Sequence, residues 1–308
     1  MPGPASPTAL SFVEYLAAKK PIDDRALNAR VWSALQQAIS SYARPRVLEV
    51  GCGIGTMLER LIERRVLSAA DYLGLDLSED NLHAAPQRLT QWAEGTGRAV
   101  RAESGALSIT GLGVSVTASF SQADAVDLPA RVELGQDWDL LVAHAVLDLV
   151  DVPRALQAML PRLRPGGLFY FSLVFDGLTV LEPELDRSLD EQIMALYHGT
   201  MDRRTRQGLP SGDSLTGRHL FRQLLEAGTV LLEAGGSDWM VFPRSGSYSS
   251  EEVVFLRWIL HFIEHSLTGH AELDPGGLAH WLDKRRAQLT RAELVYLAHQ
   301  LDFLGQRV

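Results

Sequence analysis

Cysteine is almost missing from this chain. Cys52 is the single instance in 308 residues, which excludes an intrachain disulfide and suits a reducing compartment. Positive charge is also in deficit, with 29 lysines and arginines against 38 aspartates and glutamates, a formal charge of -9 and a pI near 5.5. No basic field exists to hold a polyphosphate, so nucleic acid is not an expected partner. No apolar run reaches the roughly 18 residues of a membrane span, and "MPGPASPTALSFVEYL" has no basic segment followed by a long apolar one. A cytoplasmic protein that does not associate with membranes is expected. Internal repeats and low-complexity tracts are likewise absent. What remains is an ordinary globular balance of 46% hydrophobic and 22% charged residues, so disorder is not expected.

Along this chain short β-rich runs alternate with helical patterns. Residues 1–7 read as a loose tail, and "DDRALNARVWSALQQAISSYA" carries apolar residues at helical spacing, so one or two helices precede the first strand. "RVLEV" reads as a buried strand, "GCGIG" as a turn and "TMLERLIERRV" as a helix. "DYLGLDLS" reads as a second strand and "EDNLHAAPQRLTQWAE" as its helix. Two alternating runs follow, an inserted β segment at 106–109 and a third strand at 114–120. "WDLLVAHAVLDLV" gives a fourth strand, "VPRALQAMLPRLRPGG" a helix and "LFYFSLVF" a fifth strand. The region 176–213 turns polar and mostly helical. "SLTGRHLFRQLLEAG" is again a helix, "TVLLEAGGSDWMVFP" reads as two strands joined at Gly235–Gly236, and 249–308 reads as helical. Strand–helix alternation of this kind predicts a parallel sheet with right-handed crossovers.

The glycines of "PRVLEVGCGIGTMLERLIERR" stand between a strand and a helix, where a missing side chain lets a ligand lie against the backbone and the helix start offers free N–H groups. A tight turn without a ligand would use glycine too. The spacing is G-x-G-x-G, and position 56 is Thr, so the dinucleotide pattern G-x-G-x-x-G is not met.

"VLEVGCGIGT" resembles the first motif of the class I S-adenosylmethionine-dependent methyltransferases. The resemblance continues in order through "YLGLDLS", "QADAVDLP", "WDLLVAHAVLDLV" and "LRPGGLFYFSL". It implies an α/β fold, a doubly wound, mostly parallel seven-stranded sheet of Rossmann-like type, with S-adenosylmethionine as cofactor. It also implies roles. Gly51, Gly53 and Gly55 would lie against the amino-acid and sugar parts, with Glu49 beneath accepting from the ammonium or ordering loop amides, and Cys52 within the turn. Asp76 would accept the ribose hydroxyls, flanked by Leu77 and Asn81. Asp124 would receive the adenine amino group, with the Ala125 backbone reading a ring nitrogen. His144, at the end of the fourth strand, would face the sulfonium and the acceptor, as a general base or as part of the pocket wall. A basic residue in the helix before the core, Arg30, would reach the cofactor carboxylate, and Tyr197 and His198 would contact the acceptor.

The expected organisation is a helical cover at 1–44, a core at 45–176 and 214–245, an inserted cap at 177–213 and a helical segment at 246–308. "AHAVLD" stands where similar enzymes acting on base or glutamine amino groups carry Asn/Asp-Pro-Pro-aromatic, which with the acidic pI favours a small-molecule acceptor. The expected activity is methyl transfer to that acceptor, the alternative a cofactor-binding sensor or partner subunit without turnover. Two further segments carry plainer readings. "HFIEH" matches the inverted zinc-protease pattern but lies in an amphipathic helix, so no metal is expected, and "DKRRAQLTR" reads as a solvated helical face.

Overall fold

Every apolar run of the first half that alternates at strand spacing enters one sheet. The computed structural model describes residues 11–103, 105–206 and 208–308, so the tail expected at 1–7 lies outside the described residues. In chain order the elements are α1 (Phe12–Ala26), α2 (Ala29–Ile39), β1 (Arg46–Val50), α3 (Thr56–Glu63), β2 (Ala69–Asp76), α4 (Glu79–Gly95), β3 (Ala99–Glu103), β4 (Ala106–Gly111) and β5 (Val114–Gln122). They continue with β6 (Trp138–His144), α5 (Val152–Met159), β7 (Leu163–Glu182), α6 (Arg187–Asp202), the short pair β8 (Thr205–Arg206) and β9 (Leu209–Pro210), and α7 (Thr216–Glu226). Last come β10 (Thr229–Gly236), β11 (Trp239–Val241), α8 (Ser250–Leu267), α9 (Pro275–Thr290) and β12 (Val295–Arg307).

The main sheet runs β10-β12-β7-β6-β1-β2-β5-β4-β3, with β11 also paired to β12. Strands β5, β2, β1, β6 and β7 are successively parallel. β12 enters antiparallel between β7 and β10. The chain therefore leaves β1 toward one edge and returns at β6 on its other side, which opens a crevice beyond the carboxyl ends of these two strands. The seven strands from β5 to β10 are the expected doubly wound sheet, and the antiparallel meander β4–β3 extends its edge.

Both faces of the sheet are buried, as a parallel sheet requires. On β6, Leu140 and Val142 join α2, α3 and α4 through Leu35, Leu58 and Leu89, whereas Leu141 and Ala143 join α5 and α7 through Leu156 and Leu220. A third apolar cluster gathers Tyr15 and Ile22 of α1, Ile193 of α6, Phe255 and Ile259 of α8, Trp281 of α9 and Tyr296 of β12. The first helix is thereby packed on the last ones. Among the described residues no helix is long and apolar enough to cross a membrane.

Three expectations need correction. The stretch 246–308 is helical only to Thr290, because Val295–Arg307 is a strand of 13 residues. Its alternation was hidden by polar residues on the buried side, Gln300 and Asp302. Asp302 is satisfied there by the backbone N–H groups of Leu173 at 2.9 Å and Asn28 at 2.8 Å. The glycines 235 and 236 do not make a hairpin: β10 and β11 both pair with β12. A Cβ at Gly235 would stand 2.4 Å from the Asn28 side chain, whose amide donates to Gly236 O at 2.8 Å, so these glycines make room for the cap of α2. Finally, a core boundary at 176 cuts through β7, which continues to Glu182. β3, with almost no buried side chain, gave no apolar pattern to read.

Candidate cofactor and acceptor site

The turn after β1 is fixed from below by paired backbone hydrogen bonds. Gly51 N and Cys52 N both donate to Leu75 O, at 2.7 and 2.9 Å. Gly51, Gly53 and Gly55 have φ of 72°, 52° and 78°, the left-handed region where a Cβ is strained. Packing adds a second reason at two of them. A Cβ on Gly51 would stand 2.2 Å from Val146 Cγ2, and one on Gly55 2.9 Å from Leu89 Cδ1. Gly53 differs, because only Leu16 Cδ1 on α1 comes near, at 3.4 Å. Its outer face is the one on which a ligand could rest.

The acid at the end of β2 ties this turn together. Asp76 Oδ2 accepts from Gly53 N at 2.8 Å, while Oδ1 accepts from Ser78 N at 2.9 Å and Asn81 Nδ2 at 3.1 Å. Ser78 caps α4 by accepting from Asn81 N. Leu77, between them, is 45% exposed. α3 begins without a side-chain cap, leaving its first amides for an outside acceptor. Asp124 is buried, with Oδ1 accepting from Val126 N at 3.2 Å and Oδ2 paired to Arg206 of β8 at 2.8 Å. Ala125 is buried beside it.

Three buried side chains around the turn have their surroundings fixed within the protein. Glu49 lies fully under the turn, where Tyr72 OH donates to it at 2.6 Å, and burial pushes its carboxyl up to about 8 despite the opposing Tyr72 hydrogen bond and Arg60. At neutral pH it carries a proton and faces the protein interior, so it supports the turn through Tyr72. Cys52 is buried too, and burial pushes its thiol up, which makes it packing rather than a nucleophile. His144 has both ring nitrogens engaged: Nε2 lies 3.1 Å from Asp23 Oδ2 and Nδ1 2.8 Å from Ser172 Oγ. A carboxylate only accepts, so Nε2 carries the hydrogen and Nδ1 accepts from the serine. Burial brings this histidine down to about 4, neutral and without a free nitrogen. It does not present a base to the crevice in this arrangement.

Its partner was not foreseen. Asp23 accepts from Lys19 Nζ at 2.7 Å and from Trp239 Nε1 at 2.8 Å, and Lys19 lies 5.0 Å from the Trp239 ring. Burial opposes ionisation of Asp23, but Lys19, the His144 hydrogen bond and Arg60 outweigh it and hold the carboxyl well below its usual range. Asp23 lies near the end of α1, and its spacing of four from Lys19 was the available signal.

The covering residues divide. Arg30 points outward, its side chain 79% exposed and paired with Glu233 of β10 at 2.9 Å. The structure does not bring it to the turn. Tyr197 packs into the third cluster, and His198, on the same helix, meets Thr179 Oγ1 at 3.0 Å with its ring 5.3 Å from Phe175. The "HFIEH" histidines on α8 have ring centroids 6.1 Å apart beside Trp258, and among the described residues no group of three or more potential metal ligands forms. "DKRRAQLTR" is not wholly solvated, because Arg285 is fully buried and donates to Pro183 O at 2.7 Å. The cis-linked loop it reaches supplied no signal in the sequence.

The doubly wound sheet thus opens its crevice at a glycine turn, with an acid closing the next strand. Residues 48–169 match the family described as "Methyltransferase domain". No curated protein sequence matches. Similar solved structures include an S-adenosylmethionine-dependent methyltransferase from Thiobacillus denitrificans in complex with S-adenosyl-L-homocysteine, 16% identical, covering 92% of this chain and 93% of that one with a TM-score of 0.47. The YcgJ protein from Bacillus subtilis is 15% identical, over 91% of this chain and 99% of that one, with a TM-score of 0.48. Geranyl diphosphate methyltransferase in complex with S-adenosylmethionine is 12% identical, over 91% and 85%, with a TM-score of 0.44. The residues present fit the cofactor: Gly53 leaves open backbone with only Leu16 near, the first amides of α3 are uncapped, and Asp76 and Leu77 offer a carboxylate and an apolar face beside it.

Proposed function

We propose that this methyltransferase acts on a small molecule held between the crevice and its covering segments. The cofactor, when bound, supplies an electrophilic methyl group on a positively charged sulfur. Gly53 and the α3 amides would hold its amino-acid end, Asp76 its ribose, and Asp124 with Ala125 its adenine. The observation that carries the small acceptor is the enclosure itself: Leu16 of α1 lies over Gly53, and Arg206 of the inserted segment is paired to Asp124 at 2.8 Å. Covers that touch the floor of the crevice leave no open groove for a polymer, and excluding water around an in-line displacement is a sufficient catalytic device. Tyr197 and His198, on the covering helix, stand on the acceptor side. Arg206 must give way for adenine, which makes the β8–β9 segment the moving part.

The test is incubation with cofactor labelled on its methyl group and the small-molecule fraction of a cell extract, with calorimetry of the cofactor alone in parallel. A labelled small product is expected. Binding heat without such a product, or label in protein or nucleic acid only, refutes the reading.

A further inference from the structure

The segment after β6 carries a carboxylate with one buried oxygen that has no hydrogen-bond partner among the described residues. Ala145 takes a left-handed φ of 54° and its N–H donates to Ser172 O at 2.8 Å, which swings the chain out of β6 into a single 3-10 turn at Leu147–Leu149. A non-glycine residue in that region is strained and persists where the surroundings impose it. The swing lays Val146 directly on Gly51, so the segment crosses the cofactor turn. Two residues on, Asp148 Oδ1 is shut off from solvent with no hydrogen-bond partner among the described residues. The inserted segment closes this place from outside: Ser211 Oγ donates to Leu149 O at 2.8 Å and Gly212 N to Val150 O at 3.2 Å.

Four titratable groups lie within electrostatic range of Asp148. Tyr15 and Lys19 come from α1, Tyr197 from α6 and Arg204 from the connection to β8. Burial raises the Asp148 carboxyl, against its own backbone N–H and the pull of Arg204 and Lys19. Burial likewise raises both tyrosines, with Asp148 adding to it, and brings Tyr197 to about 12. Both phenols therefore stay neutral. Lys19 already serves Asp23 at 2.7 Å, and no ion pair joins Arg204 to Asp148. An unused buried acceptor is costly to keep, of the order expected for a lost hydrogen bond, and is retained where a ligand completes it.

We propose that Asp148 is the general base of methyl transfer, receiving the proton of a small acceptor whose nucleophilic atom is a hydroxyl oxygen or an amine nitrogen. This rests on the small-acceptor reading above and takes over the role the sequence suggested for His144, whose nitrogens are both occupied. In the step, the acceptor's oxygen or nitrogen forms the bond to the methyl carbon, the carbon–sulfur bond breaks with its electron pair going to sulfur, and the acceptor's proton passes to Asp148 Oδ1. Charge balances: a sulfonium and a carboxylate become a neutral thioether and a neutral acid.

The experiment compares the full-length parent with Asp148→Asn. Three quantities are measured: cofactor affinity by calorimetry, labelled product from the small-molecule extract, and melting temperature of the ligand-free protein from pH 5 to pH 9. Affinity should be unchanged and product formation should fall by about 100-fold or more, the range for removing a general base. The variant should melt above the parent, by a margin that widens as pH rises, because a raised carboxyl loses stability on ionising and asparagine cannot ionise. Mass spectrometry should place the methyl on oxygen or nitrogen. Parent-like product formation by the variant, a variant that melts below the parent at every pH, or a methyl on carbon or a thioether sulfur overturns the proposal. A parent that makes no labelled product at all refutes the small-acceptor reading instead, and the melting comparison still judges whether Asp148 is an unused buried acid.

Discussion

Replacing Glu49 by glutamine isolates the proton that the fold stores under its glycine turn. The carboxyl is 1% exposed, takes a 2.6 Å hydrogen bond from Tyr72, and is raised from an ordinary 4.5 to about 8 by burial. The folded protein thus keeps a proton that the unfolded chain releases between those two values. Stability from this group is fully present below pH 4.5 and is lost as pH rises toward 8. At about 1.4 kcal/mol for each tenfold change in proton affinity, the loss reaches at most about 5 kcal/mol, and relaxation around the ionised carboxylate, with Arg60 near, brings it toward 2 or 3. Glutamine keeps the shape and still accepts from Tyr72 through its amide oxygen, but does not titrate. Its own amide hydrogens need partners, which adds a pH-independent cost of about 1–3 kcal/mol. Urea unfolding of parent and Glu49→Gln at pH 5, 7 and 9 separates the two effects, because other titrating groups cancel in the difference. The variant should gain on the parent by about 2–5 kcal/mol between pH 5 and pH 9. A difference that stays constant over that range would show that Glu49 is ionised in the fold, and the account of the turn given above would be wrong.

Asp76→Ala should weaken cofactor binding by about 2–4 kcal/mol, the range for charged hydrogen bonds, measured by calorimetry on a protein whose circular dichroism is unchanged; undiminished affinity removes Asp76 from the site. Gly53→Val places a branched side chain at φ 52° where only Leu16 is near, so cofactor binding should vanish while the helical signal survives, and normal binding would reduce the turn to structure. His144, neutral in the fold with its acidity brought to about 4 from 6.5 by burial, contributes stability above pH 6.5 that is lost as pH falls toward 4. The loss is about 3 kcal/mol, and His144→Asn should abolish that part of the acid slope in unfolding titrations; an unaltered slope assigns it elsewhere.

The strands of the first half were legible because buried parallel strands are nearly uniform apolar runs, and β1, β2, β6 and β7 are of that kind. The glycine turn was legible for the same local reason, with three left-handed positions in five residues. β12 was not, because its buried Asp302 and Gln300 are explained only by Leu173 and Asn28, more than a hundred residues away. The partners of Glu49 and His144 were hidden in a related way. Spacing places a side chain at the crevice but does not say which of its atoms are already taken, and Asp23, which takes one, arrives from an element that makes no contact in sequence with β6. Asp148 stood in a quoted segment, yet its lack of a partner is visible only when its neighbours are in place.

The position of β12 constrains the order in which the chain can fold during synthesis. Among the described residues β10 pairs only with β12, and β7 would be an open edge without it. A ribosome that has released everything up to α9 holds a nascent chain with the β7 edge unpaired and β10 unattached, and only residues 295–307 can close that gap. Cooperative folding is then delayed until the last strand emerges, and the waiting chain presents a bare strand edge of the kind that invites pairing between molecules.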